Sequence, residues 1–274
     1  MGTVGDVVIC GGFHCHVTIV AGDGMRASVE LEKLTWIEAE SALTADAVVL
    51  IALGAGAKEH GPHLRLDNDR RMAEYLKRRV MAVTPVVVAP TIAYHHYPAF
   101  VEYPGSTNLR FDTARDLVVD IVTSLARFGP RRFYVLNTGV STLGPLAAAA
   151  AVLRDAGVLL RYTTLREINR EAVAEVQQQP GGTHADEIET SMMLYIDPTL
   201  VDMSKAVREF NPEKARGGLT RTPGNPSVYS ASGVYGDATL ASAEKGRVVV
   251  EALVEGIVRD VEQLRTSALP EATR

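Results

Sequence analysis

The chain has 274 residues, 46% hydrophobic and 22% charged, the make-up of an ordinary globular protein with room for one large domain. Its net charge of −5 argues against a nucleic-acid binder that works by neutralising phosphates, and no run of eighteen apolar residues offers a membrane span. The two cysteines, Cys10 and Cys15, make a poor disulfide framework, so a cytoplasmic protein is expected.

Residues 1–30 read as an N-terminal extension or hairpin, with no signal-peptide pattern. Their His14-Cys15-His16 run looks like a metal site, but neighbouring side chains on a strand diverge, so only His14 and His16 would face together. From residue 31 to 265 the pattern is that of a single α/β domain. Ala47 to Leu53 is a continuous apolar run suited to a strand buried on both faces. A helix is predicted from about Arg70 to Val80, a second strand over Pro85 to Ala89, and a helix capped by Asp112 and running to about Phe128. Arg132 to Leu136 is a third strand, Leu143 to Asp155 an alanine-rich helix closed by Gly157, and Val158 to Tyr162 a fourth strand. Strand alternating with helix predicts right-handed βαβ units, a mainly parallel sheet and hence an α/β fold. Beyond this, a helix capped by Thr183 starts near His184, residues 204–236 read as a long irregular surface segment, and Ser242 to Leu264 is an amphipathic closing helix. Residues 266–274 read as a frayed tail.

Ligands of open parallel sheets bind beyond the carboxyl ends of the strands. The segment after the first strand is the richest: within eleven residues it offers Glu59, His60, His63, Asp67 and Asp69, the mixture of imidazole and carboxylate that zinc or manganese accepts. The bland alternative makes Gly61-Pro62 a plain turn, Asp69 a helix cap, and Lys58 and Glu59 a solvated pair. The run Thr183 to Ser191 is a second candidate; helix capping accounts for Asp186 and Glu187 but not for His184 or Glu189. Tyr94-His95-His96-Tyr97 follows the second strand, and its histidines are either ligands or polar surface. Asn137 to Thr142 follows the third strand and holds no ionisable group, and Ser141 lacks the final glycine of a Gly-x-Ser-x-Gly elbow. Gly54-x-Gly56 has no third glycine at the spacing a nucleotide-binding loop needs.

Taken together, these residues resemble the creatininase, or creatinine amidohydrolase, family. His60-Gly61-Pro62-His63-Leu64 with Asp69 is similar to that family's metal-binding loop. His184-Ala185-Asp186-Glu187-Ile188-Glu189-Thr190-Ser191 resembles its His-Ala-Gly-Glu-x-Glu-Thr-Ser segment, and Pro104-Gly105-Ser106-Thr107 its Pro-Gly-Thr turn. Ser232-Gly233-Val234, Gly236-Asp237 and Ala243-Glu244-Lys245-Gly246 are similar to its C-terminal signature. The resemblance implies a three-layer α/β/α sandwich, a homo-oligomer (often a hexamer), and two divalent metals, zinc or manganese, serving hydrolysis of a C–N bond in a small-molecule substrate. Carried over, Glu59, His60, Asp69 and Glu189 hold metal, Asp69 as the bridge, and His184 carries the proton.

Two departures bear on this. Lys58 stands where the family has a glutamate two residues before the histidine, with Glu59 adjacent as a bulged substitute; and Gly139 stands at the position of a histidine ligand. Three outcomes stay open: the second metal is absent, His63, His95 or His96 replaces the donor, or the site has moved to different chemistry with Lys58 supplying a positive charge where one metal was. The first reading is therefore a metal-dependent hydrolase of a small amide, cyclic amide or lactone. The alternatives are a lyase or isomerase of the same fold using one metal and Lys58, and a non-catalytic metal-binding homologue.

Overall fold

The computed structural model of the protein describes residues 27–210 and 218–273. The N-terminal His-Cys-His run and most of the expected extension lie outside these residues. A parallel five-stranded sheet forms the centre. Its strands are β1 (Val29–Glu30), β2 (Val48–Leu53), β3 (Val87–Ile92), β4 (Arg132–Asn137) and β5 (Leu159–Tyr162), in the order β1-β3-β2-β4-β5. The helices of the α/β part are α1 (Trp36–Ala42), α2 (Asn68–Met81), α3 (Phe111–Ala126) and α4 (Leu143–Asp155). They are followed by α5 (Leu165–Ile168), α6 (Arg170–Val176), α7 (Glu187–Ile196) and the long α8 (Ala243–Thr266).

The period-two alternation of a strand sorts side chains into two cores. Leu50, Ala52, Tyr134 and Leu136 pack with Met72 and Leu76 of α2, Met192 of α7 and Val250 and Leu253 of α8. Val49, Ile51, Leu53, Phe133 and Val135 face the other way, onto Val118 and Val122 of α3 and Leu146 and Leu153 of α4. Helices on both faces of one parallel sheet make the three-layer α/β/α sandwich that was expected. Where α8 crosses α7 the backbones nearly touch: a Cβ on Gly246 would lie 1.9 Å from the Ser191 carbonyl oxygen.

Several local expectations are corrected. The second strand lies at 87–92 and contains Pro90. The strand tolerates it because β1 pairs only with Val87 and Val88, and the pairing with β2 shifts register between Ile51 and Leu53. Arg110, not Asp112, is the residue before α3; Asp112 sits in its first turn. Asp186, not Thr183, caps α7, its carboxylate accepting from the Ile188 and Glu189 N–H groups. The segment 204–236 is not merely surface: Val228, Ser230 and Val234 are buried, and Tyr235 pairs with His184 through a backbone bridge. Residues after α8, expected to fray, return to α4, where the Thr273 N–H donates to the Asp155 carbonyl at 2.9 Å. Among the described residues no helix is long and apolar enough to cross a membrane.

Candidate active site

The carboxyl ends of β2, β3 and β4 lie side by side, with Leu53 paired to Ile92 on one flank and to Asn137 on the other. The chain leaving β2 at Gly54 meets the first turn of α2 directly. A Cβ at Gly54 would stand 2.3 Å from the Asp69 carbonyl oxygen, and the Arg70 N–H donates to the Ala55 carbonyl at 3.2 Å. Only glycine permits this approach, and it fixes Asp69 over the end of the sheet.

Asp69 is 1% exposed and has a nitrogen close to each oxygen. Lys58 Nζ lies 2.7 Å from Oδ2, and His60 Nε2 lies 2.8 Å from Oδ1. Burial alone would raise the Asp69 carboxyl, but the charge of Lys58 and the close His60 ring outweigh it and hold this group well below the usual carboxylate range. Lys58 is itself buried, its ammonium 4.7 Å from the centre of the Phe100 ring and 5.9 Å from that of Tyr97. Such π faces favour a desolvated cation. The buried Tyr97 hydroxyl makes no hydrogen bond among the described residues.

His184 is placed by the backbone bridge to Tyr235 and by Ala185, which adopts a positive φ of 47°. A non-glycine residue in that region is strained and is held there by its surroundings. The His184 Nε2 lies 2.9 Å from the Glu59 carbonyl and 3.0 Å from Glu59 Oε2, so it carries the proton and donates. Nδ1 is then a lone pair, 3.6 Å from Glu189 Oε2. Glu189 also accepts from the Ala185 N–H at 2.7 Å, and burial pushes its carboxyl up against the opposing charges of His184 and Lys58. Glu59 is clamped from several sides. Its N–H donates to Ser106 Oγ at 2.9 Å, Oε1 accepts from the Gly61 N–H, and Gly233 (φ +86°) passes so close that a Cβ there would meet Oε1 at 2.0 Å.

The structure thus brings together Lys58, Glu59, His60, Asp69, His184 and Glu189. Among the described residues, one group offers metal-ligand atoms within 4.8 Å of one another: His60, His184 and Glu189. Two imidazoles and one carboxylate are a donor set known for catalytic zinc, so these residues fit one cation. His60 agrees with that fit. Its Nδ1 faces the Lys58 carbonyl at 2.9 Å and its Nε2 faces Asp69, two acceptors that one ring proton cannot serve.

The other histidines lie outside this group. His63 Nε2 bonds Thr190 Oγ1 at 2.8 Å, and burial lowers the ring to about 4, so it is neutral. His95 is fully buried near the backbone of Ala114, and burial lowers it likewise to about 4. His96 bonds the Leu109 carbonyl at 2.9 Å and stacks edge-on with Phe111. At Gly139 the loop is closed by Asn137 and Thr142: the Asn137 amide and the Thr142 hydroxyl both donate to the Gly139 carbonyl, at 2.7 and 2.9 Å. Phe100 was not among the sequence candidates, and Tyr97 and Thr190 stood in candidate runs without a role. The signal for Phe100 and Tyr97 was an aromatic run directly after β3.

Comparison with known proteins identifies the family. The family model for creatinine amidohydrolase matches residues 32–261. A creatinine amidohydrolase of Pseudomonas putida is 30% identical over 255 residues, covering 85% of this chain and 96% of that protein. A mycofactocin precursor peptide peptidase of Mycolicibacterium smegmatis is 27% identical, covering 89% and 92%. A 3-dehydro-scyllo-inosose hydrolase of Thermotoga maritima is 29% identical, covering 81% of each. The crystal structure of a creatininase superposes with a TM-score of 0.72 at 25% identity, covering 88% of this chain and 99% of that one. A mutant creatininase described as the Zn-Zn type superposes with 0.71 at 25% identity, covering 88% and 100%. The chain belongs to the creatininase family and is, like its amidohydrolase relatives, an enzyme.

Proposed function

We propose that this protein is a metal-dependent hydrolase that opens the C–N bond of a small amide or cyclic amide, or the ester bond of a lactone, with water. The observation that carries this reading is the convergence of His60, His184 and Glu189 at the carboxyl end of the parallel sheet. Relatives that are named as a creatinine amidohydrolase, a peptide peptidase and an inosose hydrolase support hydrolysis as the reaction class.

Zinc or manganese bound by these three residues would supply Lewis acidity and a water acidified towards neutral pH. Glu59 holds the His184 ring in one tautomer by accepting its Nε2–H, which turns the Nδ1 lone pair towards Glu189. Lys58 sets its ammonium against an aromatic wall, a positive charge suited to the oxygen on which charge builds as a carbonyl is attacked. Phe100 lies against His184, 4.4 Å between ring centres and tilted by 45°. A second reading gives His184 the role of proton carrier at Nδ1, with the metal held by Glu59, His60, Asp69 and Glu189. The Glu59–His184 pair favours it, because a carboxylate behind an imidazole is the arrangement of a general base. A cytoplasmic location and a homo-oligomer, by resemblance a hexamer, belong to the same proposal.

The test is a panel of cyclic amides, linear amides and lactones, assayed after chelation and after return of zinc or manganese. Turnover lost on chelation and restored by metal supports the reading. A metal-loaded protein that hydrolyses no member of the panel, or turnover untouched by chelation, overturns it.

A further inference from the structure

We infer that the Lys58 ammonium stands in place of a second divalent cation, so that this enzyme works with one metal and one lysine where a dizinc relative has two metals. The inference rests on the hydrolase reading above and adds the number of metals and the reason for it.

The argument starts from Asp69. A carboxylate that bridges two cations through its two oxygens needs each of them free for one. Here Oδ2 is taken by Lys58 Nζ at 2.7 Å and Oδ1 lies against His60 Nε2 at 2.8 Å. A divalent cation at Oδ2 would have to displace a buried ammonium whose side chain is 7% exposed. Among the described residues that ammonium forms no ion pair with a second carboxylate, and an aromatic wall lies behind it, so a displaced charge would lose its one ion-pair partner in a buried site. The donors such a cation needs are also missing. The lysine occupies one position, and Gly139 offers only its backbone, its carbonyl already accepting from Asn137 and Thr142. His96 is engaged on the Leu109 carbonyl, and among the described residues the ligand atoms of His95 do not converge with those of His60, His184 and Glu189.

Charge balance points the same way. Asp69, Glu59 and Glu189 bring three carboxylates to the site; one ammonium and one divalent cation match them. Two divalent cations beside Lys58 would leave an excess of two positive charges in a buried cluster, a costly arrangement.

The experiment is metal stoichiometry by plasma mass spectrometry after dialysis against zinc, on wild type, Lys58→Glu and Lys58→Met. The expected result is about one zinc per chain in wild type and in Lys58→Met, and one additional equivalent in Lys58→Glu, which trades the ammonium for a carboxylate. Thermal melting of Lys58→Met shows whether the fold survives without the ammonium and keeps the comparison usable if Lys58→Glu fails to fold. Two equivalents in wild type, or the same content in wild type and a folded Lys58→Glu, overturn the inference while leaving metal-dependent hydrolysis standing. Wild type that binds no zinc overturns the hydrolase reading itself and with it the one-metal count.

Discussion

Lys58 Nζ and Asp69 Oδ2 form a 2.7 Å ion pair between side chains that are 7% and 2% exposed, at the carboxyl end of the parallel sheet. Breaking a buried pair from one side leaves a bare charge, which costs on the order of 3–5 kcal/mol. Lys58→Met is therefore expected to lower unfolding free energy by about 3 kcal/mol, whereas Lys58→Met with Asp69→Asn costs less than the sum of the two single changes. Urea unfolding of the four proteins checks this, and additive losses would mean that the pair is not coupled.

Substitution of His184 separates fold from chemistry. His184→Gln keeps a polar group near Glu59 but loses the Nδ1 lone pair, and turnover on the best substrate of the panel should fall roughly 10²–10⁴-fold. The zinc content of the same variant distinguishes the two roles. Loss of metal marks His184 as a ligand; retained metal with lost turnover marks it as the proton carrier.

Gly54→Ala tests how Asp69 is held. The new Cβ would fall 2.3 Å from the Asp69 carbonyl oxygen, so the first turn of α2 must move away from β2. A stability loss of about 1–3 kcal/mol is expected, together with weakened zinc binding. Wild-type zinc affinity in a folded Gly54→Ala would show that the site does not depend on this approach.

His95 predicts a pH dependence of stability. Its ring titrates near pH 4 in the folded protein because burial disfavours the charged form, against an ordinary value near 6.5. Below about pH 6.5 the unfolded chain takes up a proton that the folded chain refuses until about pH 4, so stability falls as pH drops through this window and is flat above it. One such group contributes up to about 3 kcal/mol across the window. Urea unfolding between pH 4 and 8 should show a shallower acid decline in His95→Leu than in wild type, and equal slopes would remove His95 as a cause.

The sheet and most helices could be read from the sequence because each buried strand is an apolar run of the right length and each helix carries its own stripe. Leu143–Asp155 shows this, with bounds as expected. Metal-type residues at 59–69 were legible for the same reason: they follow β2, which is buried at all six positions. What local pattern could not show were contacts made across the chain. Gly233 is 174 residues from the Glu59 carboxylate it presses on, and Tyr235 reaches His184 from a segment that reads as loop. The aromatic wall around Lys58 likewise forms only when the loop after β3 folds over the loop after β2. The lysine itself was visible as a departure, but its ion pair with Asp69 required the structure.

The most direct test of the whole account is anomalous diffraction at the zinc edge from crystals of the zinc-loaded protein. The account predicts one peak per chain, enclosed by His60, His184 and Glu189, with Lys58 Nζ still on Asp69. Two peaks flanking Asp69, or a peak away from those three residues, would contradict it.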